Sequence, residues 1–211
     1  AVSPSGLTSM TLFPMYEHFR DGSGTPMTFD YEEGYKEDPA IRREINREMN
    51  QTLVAANELV KEGSTSVDFH SGVGIKNYGD YPQTENWQKT IGDHDYYSDS
   101  KLSVDGDTVT LTTTITAKDR WNFNSGAGDI ATKAKDDENG RFEGLGWARS
   151  FDTSGTVTRT YTWKVGEEPP QIDMDSMTVL EGVVMIPILA MKEGVWNRKV
   201  ECVTLVLNRV P

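Results

Sequence analysis

The 211-residue chain carries 33 acidic and 21 basic side chains, a formal net charge of −12, and its pI lies near 4.7. Such an acidic chain excludes a nucleic-acid partner, because phosphate binding draws its affinity from Lys and Arg, and fits poorly with electrostatic docking on anionic lipid. The single cysteine, Cys202, excludes an internal disulfide and a cysteine-based metal cage; within the apolar run VECVTLVL it reads as a core thiol.

The chain begins AVSPSGLTSM, with no basic segment leading into an apolar one and no initiator Met. We expect a processed protein or a fragment of a longer one. Residues 9–19, SMTLFPMYEHF, read as an opening strand or docked segment, and Arg20-Asp-Gly-Ser-Gly-Thr-Pro26 as a tight turn. Asp38-Pro39 is a helix-start signal. Ile41, Ile45, Met49, Leu53, Ala56 and Val60 then recur at helical spacing up to a stop at Gly63, predicting one long helix over about 39–62. Arg42, Arg43, Glu44, Arg47, Glu48 and Glu58 fall on its other faces and are expected to be solvated.

Residues 65–70 read as a short strand, 83–91 as a short helix around Trp87, and 101–104 with 108–118 as a hairpin closed by Asp105-Gly106. In the second hairpin strand Val109, Leu111, Thr113, Ile115 and Ala117 alternate with threonines, as a half-buried strand requires. A returning strand follows, with Val157, Arg159, Tyr161 and Trp163 on one face and Thr156, Thr158, Thr160 and Thr162 on the other. Between the two lie roughly 35 residues, longer than a compact domain usually keeps without a functional reason. Asp136-Asp-Glu-Asn-Gly140 inside that insert reads as a turn. Gly166-Glu-Glu-Pro-Pro170 marks a break; 177–191 and 199–210 read as core strands of a C-terminal extension. The fold expected is α+β: a mostly antiparallel twisted sheet or half-barrel with the long helix packed on it, spanning 1–165, and a β-rich extension over 166–211 on the same core.

His18, His70 and His94 are scattered and form no ligand pair. Asp119 stands out, because an alternating strand delivers it to a run of aromatics, Asp119-Arg-Trp121-Asn-Phe-Asn124. Asp119, Asp129, Asp136, Asp137, Glu138 and Glu143 crowd 25 residues with the oxygen donors that Mg²⁺ or Ca²⁺ takes.

The segment His18-Phe-Arg-Asp-Gly-Ser-Gly-Thr-Pro-Met-Thr-Phe-Asp30, the Thr-rich strand ending Ala117-Lys-Asp119-Arg-Trp121-Asn-Phe-Asn124, and Gly140-Arg141 followed by Leu145-Gly-Trp147 resemble the activity domain of colicin M-like bacteriocins. The chain is similar also to modules at the ends of secreted antibacterial toxins of Gram-negative bacteria. The resemblance implies a toxin acting in the periplasm or at the inner membrane of a target bacterium. It would be a Mg²⁺-dependent phosphodiesterase cleaving the lipid-linked peptidoglycan precursor (lipid II), silenced in its producer by an immunity protein. It also implies that Asp119 is the catalytic or metal-binding carboxylate and Arg141 the phosphate clamp. Trp121, Asn122, Asn124 and Trp147 would be the substrate-binding residues. Asn122 stands where the family has a second Asp, and Gly140 where it has His. Two other readings stay open: a non-enzymatic toxin that disrupts membranes through 177–191, and a binding module presenting Trp121, Phe123, Phe142 and Trp147 to a sugar or protein.

Overall fold

The two threonine-rich strands organise the molecule. In a computed structural model that describes residues 12–72, 81–123, 126, 128, 135–175 and 179–180, the elements run α1 (Leu12–Asp21), β1 (Met27–Thr28), α2 (Tyr31–Glu37), α3 (Pro39–Lys61), β2 (Ser66–His70), α4 (Glu85–Thr90), β3 (Asp95–Asp105), β4 (Thr108–Trp121), α5 (Asp137–Gly144), β5 (Phe151–Lys164), β6 (Gln171–Ile172) and β7 (Val179–Leu180). Five strands form one sheet in the order β1-β5-β4-β3-β2, not closed into a barrel, and β6 pairs with β7. The fold is α+β. Strand β2 lies antiparallel to β3, with Ser66 opposite Ser103 and His70 opposite Asp99; among the described strands only the short β1 runs parallel to its neighbour, pairing Met27 with Thr153. The Thr112 and Thr160 hydroxyls lie 3.0 Å apart and those of Thr114 and Thr158 2.9 Å apart, a register that sets β4 and β5 antiparallel.

Contact density divides the chain into two interleaved units. One comprises Ala1–Ile41, Lys76–Asp95 and Ala117–Gly155; the other comprises Arg42–Ile75, Tyr96–Thr116 and Thr156–Pro211. In the second, the α3 residues Ile45, Met49, Leu53 and Ala56 are buried, as their spacing predicts, together with Leu102, Val109, Leu111 and Ile115 of the sheet. Glu44 and Glu48 are also buried, which corrects the expectation that they are solvated. For Glu48 the reason is a polar seam under the helix: Ser98 donates to Glu48 Oε1 at 2.6 Å, and the Ser100 and Thr113 hydroxyls meet at 2.9 Å. Asn57 accepts the Trp163 indole N–H at 3.3 Å. These bonds satisfy groups that the apolar stripe alone would strand.

In the first unit, of the opening strand or docked segment expected over 9–19, residues 12–21 form a helix. Met15 and Phe19, four residues apart and both fully buried, give it its inward face. Asp30 starts α2 by accepting from Glu33 N at 3.0 Å, and Asp38 then does two things. Its backbone N–H closes α2 on Gly34 O at 2.9 Å. Its fully buried carboxylate caps α3 through Ala40 N (2.8 Å) and Ile41 N (3.1 Å), while the other oxygen accepts from Gln83 N, Thr84 N and Thr84 Oγ1 at 2.7, 2.7 and 2.9 Å. The expected helix around Trp87 is α4, and the ring is fully buried with its N–H on Glu37 Oε2 at 3.0 Å. Residues 136–140, expected as a turn, open α5 instead, because Asp137 and Glu138 in a first turn suit the positive end of a helix. The break at 166 is present, with Gly166 at φ 88°. The strands expected over 177–191 and 199–210 lie outside the described residues, apart from Val179–Leu180.

Two substitutions test this packing. Asp38→Asn keeps one acceptor oxygen but turns an amide N–H₂ towards groups that donate. It should therefore cost about as much as Asp38→Ala, at least about 3 kcal/mol by urea denaturation. A Cβ on Gly155 would fall on the Phe29 ring and 2.8 Å from the Phe29 carbonyl oxygen. Gly155→Ala should therefore destabilise by about 1–3 kcal/mol, and an unchanged unfolding midpoint would show that β1 yields freely.

Candidate functional site

Strand β4 runs past the expected end at 118 to Trp121, and its alternation decides where Asp119 goes. Ala117 and Trp121 are buried, Lys118 and Arg120 are exposed, and Asp119 shares the inward side with limited exposure. Trp121 donates its indole N–H to Lys89 O at 3.1 Å, which places this side of β4 against the end of α4. The chain that leaves α4 there reads Gly92-Asp-His-Asp95. Burial is the main cause that pushes the Asp119 carboxyl up to about 6; the Asp93 and Asp95 charges add to the rise, while a backbone hydrogen bond at Arg120 and the His94 charge oppose it.

His94 is itself buried, and its Nδ1 lies 3.1 Å from Gly92 O. A carbonyl only accepts, so Nδ1 donates its N–H there and the ring is held in one orientation. The Tyr31 ring packs edge-on at 6.4 Å and fixes the imidazole plane. Sequence reasoning passed over His94 as a lone histidine; the signal was the Asp-His-Asp triplet directly before a strand that pairs with the one carrying Asp119. The other described histidine of this unit is tied up structurally. His18 Nε2 lies 2.8 Å from Thr25 O, so it donates there and cannot take a proton from Ser23 Oγ at 3.4 Å.

The remaining expected residues are dispersed. Trp121 occupies a core position, stacked on Phe151 at 5.6 Å and packed against Phe19 at 5.7 Å, so its ring is not presented to a substrate. Phe123 joins the same cluster, 5.0 Å from Phe19. Asn122 is exposed beyond the strand end. Asn124 and Asp129 lie outside the described residues. Arg141 is exposed on α5, and Trp147, 61 % exposed, follows that helix. Glu143 serves structure: it accepts Ser150 N at 2.9 Å and Ser150 Oγ at 2.6 Å, the hydroxyl being the chief cause that holds its carboxyl below the usual range. Among the described residues no group of three or more His, Cys, Asp or Glu side chains is arranged to hold a metal ion, so the expected Mg²⁺ finds no ligand set among them.

Comparison with known protein families, curated proteins and solved structures returned no match to this chain.

The displaced carboxyl makes a stability prediction. A carboxyl raised in the folded state favours folding while it is protonated, and that advantage is lost as pH rises from the ordinary 3.8 to about 6. Asp119→Asn removes the charged form. It should be indistinguishable from wild type below about pH 4 and more stable above pH 6, by at most about 3 kcal/mol. Thermal unfolding across that range checks this, and a pH-independent difference would contradict the electrostatic account.

Proposed function

We propose that this chain is an antibacterial toxin domain that acts at the target-cell envelope and hydrolyses the phosphoester of a lipid-linked peptidoglycan precursor, with Asp119 as general base. The observation that carries the reading is the partly enclosed Asp119 carboxyl at about 6, beside the Asp93-His94-Asp95 turn. A base of that strength is ionised at neutral pH yet a better proton acceptor than an ordinary aspartate. In the reaction, Asp119 takes a proton from water as the water oxygen bonds to phosphorus. The phosphorus–oxygen bond to the polyprenyl carrier breaks, and the departing oxygen ends protonated, leaving polyprenol and pyrophosphoryl-sugar. Arg141 is the candidate for the phosphate oxygens, since its fork matches them. His94 is a positioning residue, acting through its influence on Asp119. No step is routed through Mg²⁺. The sequence resemblance to colicin M-like domains supports the substrate class, the periplasmic site of action and the need for an immunity partner.

The test is release of pyrophosphoryl-sugar from purified lipid-linked precursor across a pH series. Wild type should release product with an acid limb near pH 6, and Asp119→Asn should lower the rate by about 10²–10⁴-fold while staying folded. His94→Gln removes an influence that lowers the Asp119 value, so the acid limb should move to higher pH; a structural role alone would leave it in place. A folded Asp119→Asn protein that still releases product sinks the assignment. One that kills cells without release, and empties dye-loaded vesicles, moves the function to membrane disruption.

A further inference from the structure

Thr153 is a polar residue in an apolar row. On the inward side of β5 it stands between Phe151 and Gly155, it is 2 % exposed, and its hydroxyl makes no hydrogen bond among the described residues. Valine has the same branched shape and would fill the position with no polar atom to satisfy, so packing alone does not call for a hydroxyl here. A buried hydroxyl left in this way has another reason to be present.

Strand pairing shows what faces it. Arg120 of β4 and Asp152 of β5 are joined at 2.8 Å, and Trp121 stacks on Phe151 at 5.6 Å. Both pairs continue the register that sets Thr112 against Thr160 and Thr114 against Thr158. One step back from Arg120 and one step on from Asp152 therefore bring Asp119 directly opposite Thr153, both on the inward side of the sheet. Directly opposed residues have Cβ atoms about 4.5–5.5 Å apart. On its other side Thr153 pairs with Met27 of β1. Of its four neighbours in the sheet, Phe151, Gly155, Met27 and Asp119, only Asp119 carries a side-chain oxygen. At that spacing a change of χ1 at either residue joins the hydroxyl to the carboxyl.

We propose that Thr153 is a positioning residue for Asp119: its hydroxyl donates to one oxygen of the ionised carboxylate, fixes the carboxylate plane and leaves the second oxygen to take a proton. A hydroxyl can also accept from the carboxylic acid, so the pair stays joined in both protonation states. The charged form gains more, because a hydrogen bond to an ionised acceptor is the stronger. The other groups that act on Asp119 are Asp93, His94 and Asp95, together with Arg120 through its backbone. The Arg120 guanidinium is engaged by Asp152 at exposed positions of the two strands. Thr153 is thus what β5 contributes to the carboxyl. It touches no substrate and exchanges no proton itself. The inference rests on the proposed hydrolysis only for its effect on rate, since the hydrogen bond is read without substrate.

The experiment follows the Asp119 carboxyl carbon by NMR in the full chain across its titration, with no substrate present. Wild type should titrate near 6. Thr153→Val removes a donor that favours the charged form, so the midpoint should rise by about one pH unit, about tenfold in proton affinity, whereas Thr153→Ser should leave it in place. Thr153→Ala also lacks the hydroxyl and should give the same rise, so the test does not depend on one variant folding. In the release of pyrophosphoryl-sugar, Thr153→Val should move the acid limb up by the same amount and lower kcat with KM unchanged, and Thr153→Ser should restore both. A midpoint indifferent to loss of the hydroxyl, or moved as far by Thr153→Ser as by Thr153→Val, overturns the proposal. A midpoint raised by Thr153→Val and restored by Thr153→Ser, in a protein that releases no product, upholds the Asp119–Thr153 pair and removes the hydrolysis alone.

Discussion

The arrangement around the candidate site depends on one buried carboxylate. Asp38 accepts five hydrogen bonds, two from the first turn of α3 and three from Gln83 and Thr84. It thereby fixes where the segment entering α4 lies. From there the dependence passes along short links: Trp87 is held by Glu37 Oε2, the carbonyl of Lys89 receives the Trp121 indole, and the carbonyl of Gly92 orients His94. Asp119 meets the Asp93-His94-Asp95 turn only because each of these is in place. A carboxylate that accepts from five donors is held in one place and orientation, which an apolar contact of the same size would not achieve with such directionality.

The sheet was legible because its strands use an unambiguous code. Five apolar or small residues alternate with threonines in β4, and the threonines of β5 alternate with Val157 and Trp163. A period of two leaves no competing element, and Asp105-Gly106 fixes the hairpin. Helix α3 was equally plain from its apolar stripe and its Asp-Pro start. What the stripe could not reveal is the polar seam beneath it. Glu44 and Glu48 look solvent-facing on a helical wheel, yet Glu48 meets Ser98 of β3, a partner 50 positions away that only the tertiary fold supplies.

The misread helices failed for local reasons. Residues 9–19 are dense in apolar side chains, and Pro14 argues against a helix interior; in α1 that proline falls in the first turn, where its missing N–H has no intrahelical partner to lose. In α5 the same Asp-Asp-Glu-Asn-Gly letters that describe a turn also describe an acid-rich helix start, and the contacts of Asn139 and Phe142 with α1 favour the helix. The site was half legible. Asp119 was marked by its place on an alternating strand. His94 was not, because its relation to Asp119 rests on strand pairing between positions 25 apart. Trp121 carried the aromatic signal of a binding residue, and the same signal is what a core tryptophan gives.

Two aspartates in this unit are enclosed, and their settings separate structure from chemistry. Asp38 has its oxygens filled by donors, so its enclosure is compensated in place and its role is to hold chain segments together. Asp119 has a backbone bond at Arg120 and a histidine in its favour, and these are outweighed by burial and two neighbouring acids. The folded state thus tolerates at Asp119 an ionisation cost that asparagine would remove. Such a cost contributes nothing to the fold, since Trp121 and Ala117 already anchor this part of β4. A residue kept where its charge is disfavoured, within reach of solvent and beside an oriented imidazole, is placed to exchange a proton, and this contrast with Asp38 is the physical ground for placing the candidate site at the end of β4.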